Sequence, residues 1–106
     1  MWIISANGQS MLSFDKDDSI CITKCQVEDV WDENKEKARK IYALQLSVVR
    51  KNNAQYSLKA YFSYNGFDKI LIKAKEDLKQ LVEKIDSTND DYIKMEPGNY
   101  YEKETE

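Results

Sequence analysis

Apolar residues recur at every second position over much of this chain, a pattern typical of strands that bury one face. The clearest example is the segment 41–50, whose apolar side comprises Tyr42, Leu44, Leu46 and Val48. A polar turn at 51–54 leads into a second alternating segment, 55–62, which predicts the returning strand. Its alternation predicts an outward face with the residues Ser57, Lys59 and Tyr61.

A hairpin is predicted at the N-terminus, where two short segments, 2–6 and 9–14, flank the dipeptide Asn7-Gly8. Asn and Gly tolerate the positive φ that both central residues of a type I′ turn require. This turn sets a register in which Ile3 pairs with Leu12, and it predicts a core face made of Met1, Ile3, Leu12 and Phe14.

Between the two hairpins, the segment 19–27 predicts a further strand, and the charged segment 28–40 is interpreted as a long solvated connection. Cys21 and Cys25 lie on the predicted strand, where four positions separate Cα atoms by about 13 Å. A disulfide needs Cα atoms within about 7 Å. We therefore expect two reduced, unbridged and metal-free thiols.

The segment 67–73 fits two patterns. Its β-branched residues Ile70 and Ile72 favour a short strand. The apolar residues of 67–85, however, also recur at the spacing of one helical face. The prediction is a strand over 68–73 followed by an amphipathic helix over 74–85, with the choice for 67–73 left open.

Together these elements predict an α+β fold: an antiparallel five- or six-stranded meander, curled or partly barrelled, with one C-terminal amphipathic helix. A chain of 106 residues fits one domain, which is assigned to 1–95. Its last residues, 92–95, are predicted either to add an edge strand or to pack back as an extended segment. The remaining segment, 96–106, is acidic and is predicted to be frayed. The predicted core includes Leu44, Leu46, Leu58, Leu81 and Ile85.

The charge and the first residues of the chain bear on whether the protein binds nucleic acid, contacts a membrane or is secreted. The formal net charge is −3, so the chain lacks the basic field that draws nucleic acid to a whole domain. No apolar run approaches the roughly 20 residues of a membrane span. A signal peptide contains a basic segment followed by a long apolar one. The first residues of this chain contain neither. We therefore expect a cytoplasmic protein without membrane contact.

The residue types that most enzymes rely on are missing. Histidine is absent, which removes the commonest general base and most zinc geometries. The three glycines are isolated, so no phosphate-binding loop is encoded. Asp15, Asp17 and Asp18 resemble the start of a calcium loop, but the required later glycine and carboxylate are Ile20 and Gln26. The sequence thus predicts a protein that is not an enzyme and that uses no metal or cofactor.

Three short segments resemble those of a known group of proteins. The chain opens with Met1-Trp2-Ile3, its helix carries Lys75-Glu76 ahead of Leu81, Val82 and Ile85, and it ends near Met95-Glu96-Pro97. In these features it resembles a loose group of small uncharacterised proteins of Gram-positive bacteria and their phages, which have an N-terminal Met-Trp-Ile hairpin and a C-terminal helix. The resemblance implies an order of elements and a source, and it assigns no site.

The preferred functional hypothesis is a non-enzymatic protein-interaction module. The resemblance implies a phage or mobile-element source, so we expect an accessory protein that binds and modulates a host protein of unknown identity. Trp31 stands amid charged residues, and tryptophan is enriched at interaction hot spots. The partner-binding residues are predicted to be Trp31, Asp32 and Glu33. A competing interpretation folds Trp31 back as a lid on the sheet.

The alternative hypothesis is binding of single-stranded nucleic acid. Proteins of this kind combine a basic groove with aromatic rings on which bases stack. The predicted outward face of the central strands offers such a combination, comprising Lys59, Tyr61, Lys69 and Lys73. The acidic total charge makes this alternative the less favoured one.

Overall fold

The structure is a computed structural model that describes residues 1–87 and 91–103. Its elements in chain order are β1 Trp2–Ile4, β2 Met11–Ser13, β3 Ser19–Asp32, β4 Lys37–Val49, β5 Gln55–Ser63, α1 Asp68–Ser87, β6 Tyr92–Lys94 and β7 Tyr100–Tyr101. The strands form a three-stranded sheet, in the order β2-β1-β6, and a four-stranded sheet, in the order β3-β4-β5-β7. The α+β class with a C-terminal helix is confirmed.

The sheets differ from the predicted single meander. The strands β3, β4 and β5 do form an antiparallel meander, but β6 joins β1 in parallel and β7 joins β5 in parallel. The structure therefore has two open, mixed sheets and no barrel. The strand β7 also draws part of the segment predicted to be frayed into the larger sheet, while residues 104–106 lie outside the described residues.

The N-terminal hairpin has the predicted register but a different turn. Gly8 has the expected positive φ of 71°, whereas Asn7 does not, so the turn is not type I′. The amide of Gly8 donates to the carbonyl of Ser5, and the amide of Ala6 donates to the carbonyl of Leu58 at 2.8 Å. This tertiary hydrogen bond holds the loop against β5, which a local turn preference does not anticipate.

The charged segment 28–40 is not a solvated connection but the outer half of the β3–β4 hairpin. The pairing continues to Asp32 opposite Lys37, well past the last β5 residue, Ser63, which pairs with Tyr42. Residues 28–41 therefore form a two-stranded extension, which we call the arm. Its sequence lacks apolar alternation because opposite charges, as in Asp29 opposite Lys40, replace apolar pairs across the two strands.

The segment 68–73 is helical, so the predicted short strand is wrong. The helix α1 begins at Asp68, and its buried side comprises Ile70, Ala74, Asp77 and Leu81. This side packs on the four-stranded sheet, while Ile72 points to solvent. Burial of one helical face outweighs the weaker preference of β-branched residues for strands.

A single unpaired residue in β5 decides which side chains meet α1. Leu46 pairs with Lys59 but Ser47 pairs with Ser57, so that Leu58 is the extra residue of a β-bulge. Because successive side chains alternate between the faces of a strand, one extra residue exchanges the two faces beyond it. Lys59 and Tyr61, predicted to face outward, therefore point toward α1 and are 6% and 0% exposed.

The two sheets and the helix share one core. Four of the five predicted core residues are buried, and Ile85 is partly buried at its edge. The core comprises Ile3, Ala6, Leu44, Leu46, Val48, Leu58, Tyr61, Ile70, Ala74, Leu81, Ile93 and Met95. Within the described residues, no helix has the length and apolar character that crossing a membrane would require.

We expect Leu81→Ala to lower the free energy of unfolding by about 2–5 kcal/mol, because the Leu81 side chain is buried in the core on the inner side of α1. The neighbouring change Val82→Ala is the matched control, since Val82 lies on the solvent side of α1 and should cost about 0.5 kcal/mol or less. Urea denaturation measures both. Equal losses in the two variants would contradict the docking of α1 described above.

We expect Gly8→Val to destabilise the protein by about 1–2 kcal/mol, because a β-branched residue resists the positive φ at this position. No atom lies within 4 Å of the Cβ that the substitution adds, so the loss comes from the backbone and not from a clash. Gly8→Asn should be tolerated better, since Asn adopts this conformation more readily. Urea denaturation of both variants tests whether Gly8→Val lowers the free energy of unfolding more than Gly8→Asn does.

Candidate functional site

The most strongly polar part of the interior lies between α1 and β5. The carboxylate of Asp77 accepts a hydrogen bond from the Tyr61 hydroxyl at 2.7 Å and forms an ion pair with Lys59 at 3.2 Å, both through Oδ2. Its other oxygen, Oδ1, lies 3.2 Å from Lys73 Nζ, one helical turn earlier. We call these four residues the Asp77 cluster.

The cluster fixes the protonation state of its members. Burial opposes ionisation of Asp77, but the hydrogen bonds from Tyr61, Lys73 and Lys59 outweigh it and hold the pKa of the carboxyl below its usual range. Burial, together with the adjacent carboxylate, raises the pKa of the Tyr61 hydroxyl well above its usual value. The hydrogen bond to Asp77 likewise raises the pKa of Lys73. Near neutral pH, Asp77 is therefore a carboxylate, Lys73 an ammonium group and Tyr61 a neutral phenol.

A cavity of about 40 Å³ adjoins the cluster at Lys59 and Asp77. It lies between the second half of α1 and the strand β6, and its other lining residues are Gln80, Leu81, Lys84, Ile93, Lys94, Met95 and Glu96. This space is far smaller than the roughly 300–1,000 Å³ of sites that enclose drug-sized molecules. The main role of the Asp77 cluster is therefore structural, because its contacts hold α1 against β5.

The four residues of the predicted nucleic-acid face do not share a surface. Lys59 and Tyr61 lie beneath α1, as described above. Lys73 belongs to the helix and is bound to Asp77, and Lys69, also on the helix, lies 3.7 Å from Glu102. The outward placement of Lys59 and Tyr61 is wrong because the bulge at Leu58 reverses the alternation on which that prediction depended.

The arm presents Trp31, which is 65% exposed. Trp31 pairs with Ala38 near the tip of the arm, and the small partner leaves its ring uncovered. The interpretation of Trp31 as a lid on the sheet is therefore wrong. Its position on a strand was missed because only the pairing of 28–32 with 37–41 reveals the hairpin.

The other two predicted partner residues have different settings. Asp32 closes the turn of the arm, since one of its oxygens accepts hydrogen bonds from the amides of Asn34 and Lys35, at 3.0 and 3.2 Å. Its second oxygen is 2.9 Å from the Arg39 guanidinium, which holds the pKa of Asp32 below its usual range. Glu33 is exposed in the turn itself. Asp32 thus shapes the arm, whereas Trp31 and Glu33 are accessible.

Two aromatic contacts link the arm and the adjoining residue Tyr42 to the segment between β5 and α1. The Arg39 guanidinium lies 4.2 Å from the centre of the Tyr64 ring, just beyond the end of β5. On the opposite side, the Tyr42 and Phe67 rings meet edge to face at 5.1 Å.

The face of the larger sheet opposite α1 carries a shallow hollow of about 260 Å³. Its lining includes the small residues Ala43 and Ala60 together with the larger apolar residues Val30 and Phe62. The Gln45 side chain borders the hollow, and its Oε1 has no hydrogen-bond partner among the described residues.

The cysteines and acidic residues form no further site. Cys21 and Cys25 are free thiols, on either side of a second β-bulge that lies between Thr23 and Gln26. Across residues 1–87 and 91–103, no three cysteine or acidic side chains gather in a way that could hold a metal ion.

Comparison of the chain with protein-family models, with curated proteins and with solved structures finds no match.

We expect Asp77→Asn to lower the free energy of unfolding by about 3–5 kcal/mol, because it leaves the buried Lys59 ammonium without its counter-charge. Lys59→Met should cost less, since Asp77 keeps Tyr61 and Lys73 as partners. Urea denaturation of both variants compares them, and equal losses would contradict this asymmetry.

The pH dependence of stability gives a second measurement. The pKa of Asp77 in the folded protein lies below the unfolded value of about 3.9, so its ionised form stabilises the fold above about pH 4. That contribution is lost as the pH falls through the folded-state pKa. Between pH 5 and pH 3, the wild-type protein should therefore lose more stability than Asp77→Asn does.

Proposed function

We propose that this protein is a non-enzymatic protein-interaction module that binds its partner through the arm. The observation that carries the proposal is the exposure of Trp31 on a strand that projects beyond the end of β5. An exposed tryptophan on a defined strand costs little entropy to immobilise and offers a large apolar surface to a partner.

The charges of the arm suit this role. The strand β3 contributes Glu28, Asp29 and Asp32, and the facing part of β4 contributes Lys37, Arg39 and Lys40. Rows of opposite charge orient an approaching protein and raise the encounter rate more than they raise affinity. Glu33 at the tip extends the acidic row, while Trp31 supplies the apolar anchor.

The source of the protein, its location in the cell and its lack of catalytic activity are also proposals. The resemblance to small proteins of Gram-positive bacteria and phages supports an accessory protein that acts in the cytoplasm on a host protein. The absence of histidine and of a metal-ligand group within the described residues supports a role without catalysis. Binding of single-stranded nucleic acid has less support, because Lys59 and Tyr61 are buried.

We expect Trp31→Ala to weaken partner binding by at least about 2 kcal/mol while changing the free energy of unfolding little, because the exposed ring contributes little to the core. The immobilised protein captures its partner from host lysate, and the affinity for that purified partner is then measured by calorimetry. Melting temperatures are recorded for the same variants.

Trp2→Ala is the matched control, since Trp2 is also exposed but lies on the three-stranded sheet. It should leave binding unchanged. The proposed role of the arm would be contradicted if Trp31→Ala bound the partner as tightly as the wild-type protein does. A large drop in the melting temperature of Trp31→Ala would contradict it as well.

A further inference from the structure

The cavity beside the Asp77 cluster contains a buried ammonium group with unused hydrogen-bond donors. Lys59 Nζ has three N–H groups, and within the described residues it donates one hydrogen bond, to Asp77. Its side chain is 6% exposed, so little of it is in contact with bulk water. Lys59 also lines the cavity, which places these donors beside a space that opens to solvent.

The mouth of the cavity holds two more lysines. Lys84, on the last turn of α1, and Lys94, on β6, both line the cavity, and neither forms an ion pair within the described part of the chain. Gln80 contributes a side-chain amide one helical turn before Lys84. Two chain segments distant in sequence thus bring cationic and amide donors to one place.

The charges around the cavity do not cancel. The ammonium groups of Lys59, Lys84 and Lys94 line it, and the carboxylates that line it are Asp77 and Glu96. Three positive charges therefore face two negative ones. This local surplus stands in a protein whose formal net charge is −3. A surplus of positive charge next to a partly dehydrated ammonium is stabilised by a bound anion.

We propose that this cavity is a binding site for a small oxyanion, specifically a phosphate group, with Lys59 at its floor and Lys84, Lys94 and Gln80 at its mouth. A phosphate anion has the sign opposite to the surplus charge, and its oxygens accept several hydrogen bonds at once. About 10–15 Å³ of such space holds one water, so about 40 Å³ accepts the inner oxygens of a phosphate while the outer ones remain in solvent. This inference is independent of the arm and goes beyond the proposed function.

The test uses the full-length protein labelled with ¹⁵N and titrated with inorganic phosphate at constant ionic strength and pH. We expect saturable shifts of the Gln80 side-chain amide and of the backbone amides of 93–95. Sodium chloride at the same ionic strength is the control titration and should not produce them. Linear shifts that chloride reproduces equally well would overturn the proposal.

The deciding variant is the double change Lys84→Gln, Lys94→Gln, since both side chains are exposed and can be replaced without loss of the fold. It should weaken phosphate binding at least tenfold. The matched control is Lys75→Gln, Lys79→Gln, which removes the same charge from exposed positions of α1 outside the cavity. Equal phosphate binding by both double variants would show a nonspecific charge effect and overturn the site.

A thermal measurement gives an independent readout. Phosphate should raise the melting temperature of the wild-type protein and of the Lys75→Gln, Lys79→Gln variant, but not that of Lys84→Gln, Lys94→Gln. A phosphate monoester, tested in the same way, distinguishes free phosphate from a phosphate carried on a larger molecule. Absence of any phosphate-dependent stabilisation in the wild-type protein would count against the site.

Discussion

The position of α1 on the four-stranded sheet depends on the contacts that the Asp77 carboxylate makes. This carboxylate lies at the interface of α1 and β5, where the Tyr61 hydroxyl and the Lys59 ammonium reach it from the strand and Lys73 reaches it from the helix itself. Removing a charge of this kind from water is costly unless the geometry satisfies it. Any shift of α1 along β5 would leave a buried charge unpaired, so that the cluster fixes the position of the helix as well as its attachment.

That interaction exists because of the bulge at Leu58. Without the extra residue, Lys59 and Tyr61 would point away from α1, and Asp77 would face apolar neighbours. The bulge also provides the carbonyl that receives the amide of Ala6, which links the three-stranded sheet to the four-stranded one. One unpaired residue thus connects the two sheets and admits a polar cluster into the core.

The two proposed sites occupy different ends of α1. The arm continues the sheet past the start of the helix, where Tyr42 meets Phe67, and it carries Trp31. The cavity lies beside the second half of the helix, between Lys84 and β6. A protein partner at the arm and an anion at the cavity would therefore not compete for the same surface, although both would bear on the position of α1.

Local sequence patterns determined much of the fold. The apolar alternation of 41–50 and the register of the N-terminal hairpin could be predicted because each depends on neighbouring residues and the period of a strand. The bulge at Leu58, the charged arm around Trp31 and the helical start at Asp68 could not, because each is decided by a partner distant in sequence. Alternation has a period of two, so one inserted residue reverses it, and only the pairing with β4 shows where the insertion lies. The Asp77 cluster and the lysine-lined cavity follow from that reversal, and for this reason the tertiary structure alone brought their residues together.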